Sequence, residues 1–144
     1  MYGTPSPFAS GLKRANTMYA QVGTQTSVQE ASPHRLVELL FEGLVEAMGQ
    51  ATLAIEVKNT AVKNRALMRA VRIIDEGLKA ALNLESGVIA RDLNNLYAYL
   101  CLRLTQANLN SDPAAIEECQ RLVKPIREAW VAIGDQVKSG AAGV

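Results

Sequence analysis

Four stretches of this chain repeat apolar residues every three or four positions, and short polar breaks separate them. No other feature restricts the fold as much, because that spacing places the apolar side chains on one face of an α-helix. The first stripe is Leu36, Leu40, Leu44, Ala47, Ala51 and Ile55, with Glu38, Glu42, Glu46 and Gln50 lining another side, and it predicts a helix to about Val57. Leu67, Val71, Ile74, Leu78 and Leu82 form the second, which ends near Leu84. The third runs through Ile89, Leu93, Leu96, Tyr97, Leu100, Leu104 and Ala107. The fourth contains Ile116, Cys119, Leu122, Ile126, either Ala129 or Trp130, and Ile133.

The breaks carry matching signals. Ser32-Pro33 and Asp112-Pro113 each pair a capping side chain with a proline at the first helical position, where a missing N–H costs nothing. Thr60 is the expected cap of the second helix after Lys58-Asn59, and Gly87 gives the Glu85-Ser86-Gly87 connection its backbone freedom. Connections this short join antiparallel neighbours, so the expected fold is all-α, an antiparallel four-helix bundle over residues 32–137. Residues 1–31 read as a semi-ordered arm or short helix that either packs back as a lid or stays a disordered leader. Residues 138–144 read as a frayed tail. Pro125 falls inside the fourth helix and predicts a kink or a break there.

Composition closes off other classes. Fifteen Lys and Arg balance fourteen Asp and Glu, which gives no field to attract nucleic acid. Aromatic residues are only 5% of the chain, which disfavours a sheet protein. No apolar run has the length of a signal peptide or membrane span, so membrane insertion is not expected and the cytosol is the expected location. Cys101 and Cys119 lie in helical stretches, far from any metal or redox spacing, and read as buried free thiols.

The same search leaves no enzyme. His34 is the only histidine and has no companions at ligand spacing, so it reads as solvated rather than metal-binding. Ser32 and Ser86 sit in a cap and a turn without a base, the Glu38-Glu42-Glu46 row lacks a histidine partner, and no glycine-rich phosphate loop occurs. Catalytic residues, cofactors and metals are therefore all expected to be absent.

Excess apolar surface is the informative feature. The first helix adds Val37, Leu39, Phe41, Val45, Met48 and Leu53 to its stripe, and the third adds Val88, Tyr99, Cys101, Leu102 and Leu109. An arc that wide is either the thickly buried centre of the bundle or a surface that the arm, a second copy or another protein must cover.

Three blocks in one colinear order carry a resemblance. Tyr19, Val22 and the run from Ala31 through Ser32, Pro33, Leu36, Leu40, Phe41 and Glu42 to Leu44 form the first. The second extends from Leu84 through Gly87, Arg91, Asp92, Leu96, Tyr97 and Tyr99 to Leu100, continued by Arg103-Leu104, and Arg127-Glu128-Ala129-Trp130 is the third. Together they resemble the FliS family of flagellar export chaperones. Phe41-Glu42 stands where a Tyr-Asp pair is usual, Ser86 and Val88 replace a usual glycine and acid, Asp92 replaces a usual Asn, and Pro125 is unfamiliar. No apolar anchor is lost.

That resemblance implies a bundle that binds the disordered C-terminal segment of flagellin, prevents its premature polymerisation, and delivers it to the flagellar type III export gate. Motif and excess apolar arc coincide at Leu36, Leu40, Phe41, Leu44, Leu96, Tyr97, Tyr99 and Leu102, the expected client-binding residues. Tyr19 and Val22 would belong to the lid. Tyr97 and Tyr99 are two apart and cannot share a helix face, so one of them points outward. Trp130 is either a core anchor or a rim contact. The alternative is a homodimeric structural or regulatory bundle whose extra apolar surface mediates self-association without a flagellin client.

Overall fold

A computed structural model describes residues 32–82 and 87–143, with side chains excepted at Val88 and at 136–143. Its first helix, α1, is Pro33–Glu56. The second, α2, starts as Thr60–Arg72, continues through a π-helical segment Ile73–Leu78, and ends with the turn Lys79–Leu82. Helix α3 is Val88–Asn110 and α4 is Pro113–Gly143. The all-α class expected from the stripes is the class observed.

The caps explain where these helices start and stop. Ser32 Oγ accepts from the Arg35 N–H at 3.1 Å, and Asp112 Oδ1 accepts from the Ala114 N–H at 3.0 Å. The second cap shifts by one residue from the expected Thr60 to Asn59, whose Oδ1 accepts from the Val62 N–H at 3.2 Å. Asparagine is the stronger cap, and a positive φ of 59° at Lys58 turns the chain so that Asn59 can serve. Asn59 N–H then reaches back to the Ala54 carbonyl at 2.8 Å and Lys58 N–H to Ile55 at 3.1 Å, closing the end of α1. Gly87 opens α3 at φ +113°, a conformation that favours a residue without Cβ.

Each helix packs against its sequence neighbours, and α4 returns to α1, so the four form a closed ring around one core. Three contacts fix the antiparallel sense. Arg69 of α2 faces Glu46 of α1, Lys63 near the start of α2 meets the end of α3, and His34 at the start of α1 meets Trp130 late in α4. Lys63 is a buried charge with no acidic partner among the described residues: its Nζ donates to the Asn108 carbonyl at 2.9 Å and to Ser111 Oγ at 2.7 Å. There the negative end of the α3 dipole stabilises the ammonium.

The core settles the wide arc of α1. Leu39, Leu40, Phe41, Leu44 and Met48 are essentially inaccessible, packed with Leu67, Ile73, Ile74, Leu78, Leu100 and Leu104. Each such side chain contributes about 1.5–3 kcal/mol through burial. Helix α1 is therefore thickly buried: of its excess apolar residues Leu39, Phe41 and Met48 are core and Val37 packs half-buried against it, while Val45 and Leu53 are exposed. The π segment buries Ile73 and Ile74 side by side, and Gly77 lets α2 approach α1 so closely that a Cβ there would stand 2.9 Å from Leu40 Cδ1.

Of the kink or break expected at Pro125, the break does not occur: the fourth helix continues through the proline as one element. Pro125 and Arg121 are both exposed, so the carbonyl deprived of its partner faces solvent and costs less than it would inside. Both cysteines are free thiols, Cys119 buried and Cys101 half-buried. Ile89 and Ile133, assigned to stripes by spacing, are instead exposed.

Candidate protein-docking surface

The structure divides the eight expected binding residues into two groups. Leu36, Leu40, Phe41, Leu44 and Tyr97 are in the buried core, and Leu96 packs half-buried against it. Tyr99 and Leu102 are exposed. Tyr97 is thus the inward tyrosine, and its burial pushes the phenol up to about 12. Tyr19 and Val22 lie outside the described residues.

A line of exposed apolar side chains runs along one side of the C-terminal half of α3. Leu102 and Leu109 are separated by two turns with Thr105 between them, so all three lie along one side of the helix, and the leucines are 55% and 80% exposed. Met68 of α2, 60% exposed, faces this line across a groove. Two adjoining hollows of about 220 and 390 Å³ make up the groove. Leu67, Val71 and Leu104 form its apolar floor at one end, while Asn64 and Asn108 supply amides at the other. Methionine adapts its shape to irregular partners, which suits a wall that meets a flexible chain. Met68 was missed by the sequence reading because it lies one residue off the stripe that includes Leu67; its signal was an apolar side chain with no core position.

On the other edge of α3 the exposed Tyr99 belongs to a polar group. Its hydroxyl donates to Glu118 Oε2 at 2.5 Å, and Arg103 Nε donates to Glu118 Oε1 at 2.7 Å. These bonds, from Tyr99 first and Arg103 second, hold the Glu118 carboxyl below its usual range, and the same Glu118 contact raises the Tyr99 phenol. Tyr99 therefore offers a ring to a partner while its hydroxyl is already engaged.

His34 corrects a second expectation. Its ring is not solvated: it stacks on Trp130 with centroids 4.3 Å apart, and its buried Nε2 has no hydrogen-bond partner among the described residues. Trp130 is half-buried and packs against the core, and its N–H donates to the His34 carbonyl at 3.0 Å. The tryptophan is thus both packing element and clasp. Among the described residues no group of three or more His, Cys, Asp or Glu is arranged to hold a metal ion, and no helix is long and apolar enough to cross a membrane.

The chain matches the family model described as flagellar protein FliS over residues 15–137. It is 47% identical over 126 residues to the flagellar secretion chaperone FliS of Salmonella typhimurium, covering 87% of this chain and 90% of the relative. The flagellar secretion chaperone FliSB of Pseudomonas aeruginosa is 35% identical, over 83% of this chain and 95% of its own. That of Bacillus subtilis is 34% identical, over 74% and 78%. A match this long, to relatives spread this widely and over a bundle with an unpartnered apolar groove, shows that the chain belongs to the FliS family.

Proposed function

We propose that this protein is a cytosolic export chaperone that captures the disordered C-terminal segment of flagellin, keeps it from polymerising, and presents it to the type III export gate. The observation that supports the reading is the groove between α2 and α3, lined by the exposed Met68 and Leu109, with the exposed Leu102 further along the same side of α3, on a family member whose relatives are flagellar secretion chaperones. An amphipathic segment laid in it as a helix covers its own apolar face and that of the chaperone together. Ordering such a segment costs about 2–5 kcal/mol or more, so the client must cover a long surface, passing over α3 from the groove to Tyr99 and Leu96 on its other edge. In this reading the buried Leu36, Leu40, Phe41, Leu44 and Tyr97 serve as the packing behind the groove walls rather than as client contacts.

Titration of the full chain with a peptide of the last several tens of flagellin residues tests this. Saturable binding, a negative heat-capacity change and new helical circular dichroism are expected. A folded protein that does not bind sinks the proposal. Sedimentation at micromolar concentration addresses the homodimer reading, which needs a persistent dimer that buries the same groove.

A further inference from the structure

We propose that a second groove, on the opposite side of α2 and formed with the C-terminal half of α1, docks an acidic amphipathic helix of a protein other than the client. This groove encloses about 420 Å³. Its floor is made of small side chains, Ala54 and Ala66, so there is room for a large apolar residue from outside. Leu53 on α1 and Val57, the residue that caps its C-terminus, form an apolar wall and are 60% and 65% exposed. Val62 stands opposite them on α2.

Charge selects the occupant. Arg65 and Arg69 line the α2 side, Gln50 and Asn59 complete the polar rim, and no carboxylate lines the groove. Arg65 has no acidic partner among the described residues. Arg69 reaches only the exposed Glu46, at a long 3.7 Å, where water competes and the pair holds little energy. A helix with leucines on one face and glutamates beside them supplies both the missing knob and the missing anions. A second copy of this chain fits poorly, because a two-fold pairing sets one arginine rim against the other. Residues 1–31 fit poorly as well, since they carry Lys13 and Arg14 against a single acid, Glu30.

The test uses the full chain and two synthetic helical peptides of about 18 residues, long enough to hold a helix. Both have leucines at three- and four-residue spacing; one is otherwise rich in Glu and the other in Lys. The Glu peptide is expected to shift the amide resonances of Gln50–Val57 and Val62–Arg69 and to bind more weakly as salt rises. Leu53→Ser and Arg65→Glu, both at exposed positions, should each lower its affinity by about tenfold at unchanged circular dichroism and melting temperature, and Arg65→Glu should gain affinity for the Lys peptide. Equal binding of both peptides overturns the proposal, as do shifts confined to the α2/α3 groove. Concentration-dependent shifts at these amides without peptide assign the groove to self-association, and competition by the flagellin peptide assigns it to the client; either result also overturns it.

Discussion

The indole N–H of Trp130 donates to the main-chain carbonyl of His34 at 3.0 Å, and the two rings lie 3° from parallel. This joins the first turn of α1 to the late part of α4, two places separated by almost the whole bundle sequence. Trp130→Phe keeps the stack and removes the bond, so a loss of about 1 kcal/mol is expected. Trp130→Ala removes both and should cost more, up to about 3 kcal/mol for a side chain that is only half-buried. Urea unfolding followed by circular dichroism checks this, since the chain has no other tryptophan.

Gly134 and Gly49 should answer the same substitution with opposite signs. A Cβ at 134 runs into the His34 imidazole, so Gly134→Ala should destabilise by about 1–3 kcal/mol, and His34→Ala in the same chain should recover much of that loss. Position 49 has no atom within 4 Å of a new Cβ, and Gly49→Ala should stabilise α1 by up to about 1 kcal/mol. Thermal melts of the three variants decide the matter.

Stability and client affinity should separate between two leucines. Leu44 is fully buried, and Leu44→Ala should cost about 2–5 kcal/mol in denaturant unfolding. Leu102 is exposed, and Leu102→Asp should leave stability within about 0.5 kcal/mol while weakening the flagellin peptide by about tenfold or more in calorimetry. Equal affinity in the Leu102 variant would remove α3 from the client path.

Glu118 should give the bundle an acid-sensitive tie. Its folded carboxyl titrates below the usual range because Tyr99 and Arg103 bond to the ionised form, so folding favours the carboxylate. The stabilisation is present above the usual carboxylate range and is lost as pH falls through that range and then the lower folded value. Glu118→Gln should therefore melt earlier than the parent near neutral pH, and the gap should close in acid.

Cys119 should resist alkylation. Burial first, and the nearby Glu118 second, push its thiol up to about 11, leaving almost no thiolate at neutral pH. In the native protein a thiol reagent is expected to modify the half-buried Cys101 first and slowly, with Cys119 reacting only on unfolding. Counting modified thiols by mass spectrometry with and without denaturant checks the order.

Local patterns carried much of this fold because helices and caps depend on residues three or four apart. Ser32-Pro33 and Asp112-Pro113 marked two helix starts, and the stripes through Leu40, Leu67, Leu100 and Ile116 marked four helices that do pack together. Where local rules compete, the reading slipped: Asn59 displaced Thr60 as cap because Lys58 adopts a left-handed turn without being glycine. The docking residues were less legible. Motif and width of arc singled out α1 and α3 alike, but an apolar side chain looks the same in sequence whether a neighbouring helix covers it or nothing does.

Sequence alone determined the helical class, the order of the elements and the family, since periodicity, capping and colinear motifs are all properties of the chain itself. Tertiary structure decided which apolar face is core. It enclosed α1 on the side of Phe41 and Leu44, left Leu102, Leu109 and Met68 in the open, turned Tyr97 inward, and placed His34 beneath Trp130. Those outcomes depend on which helices become neighbours and how closely a glycine such as Gly77 or Gly134 lets them approach, relations between residues distant in sequence that no local pattern encodes.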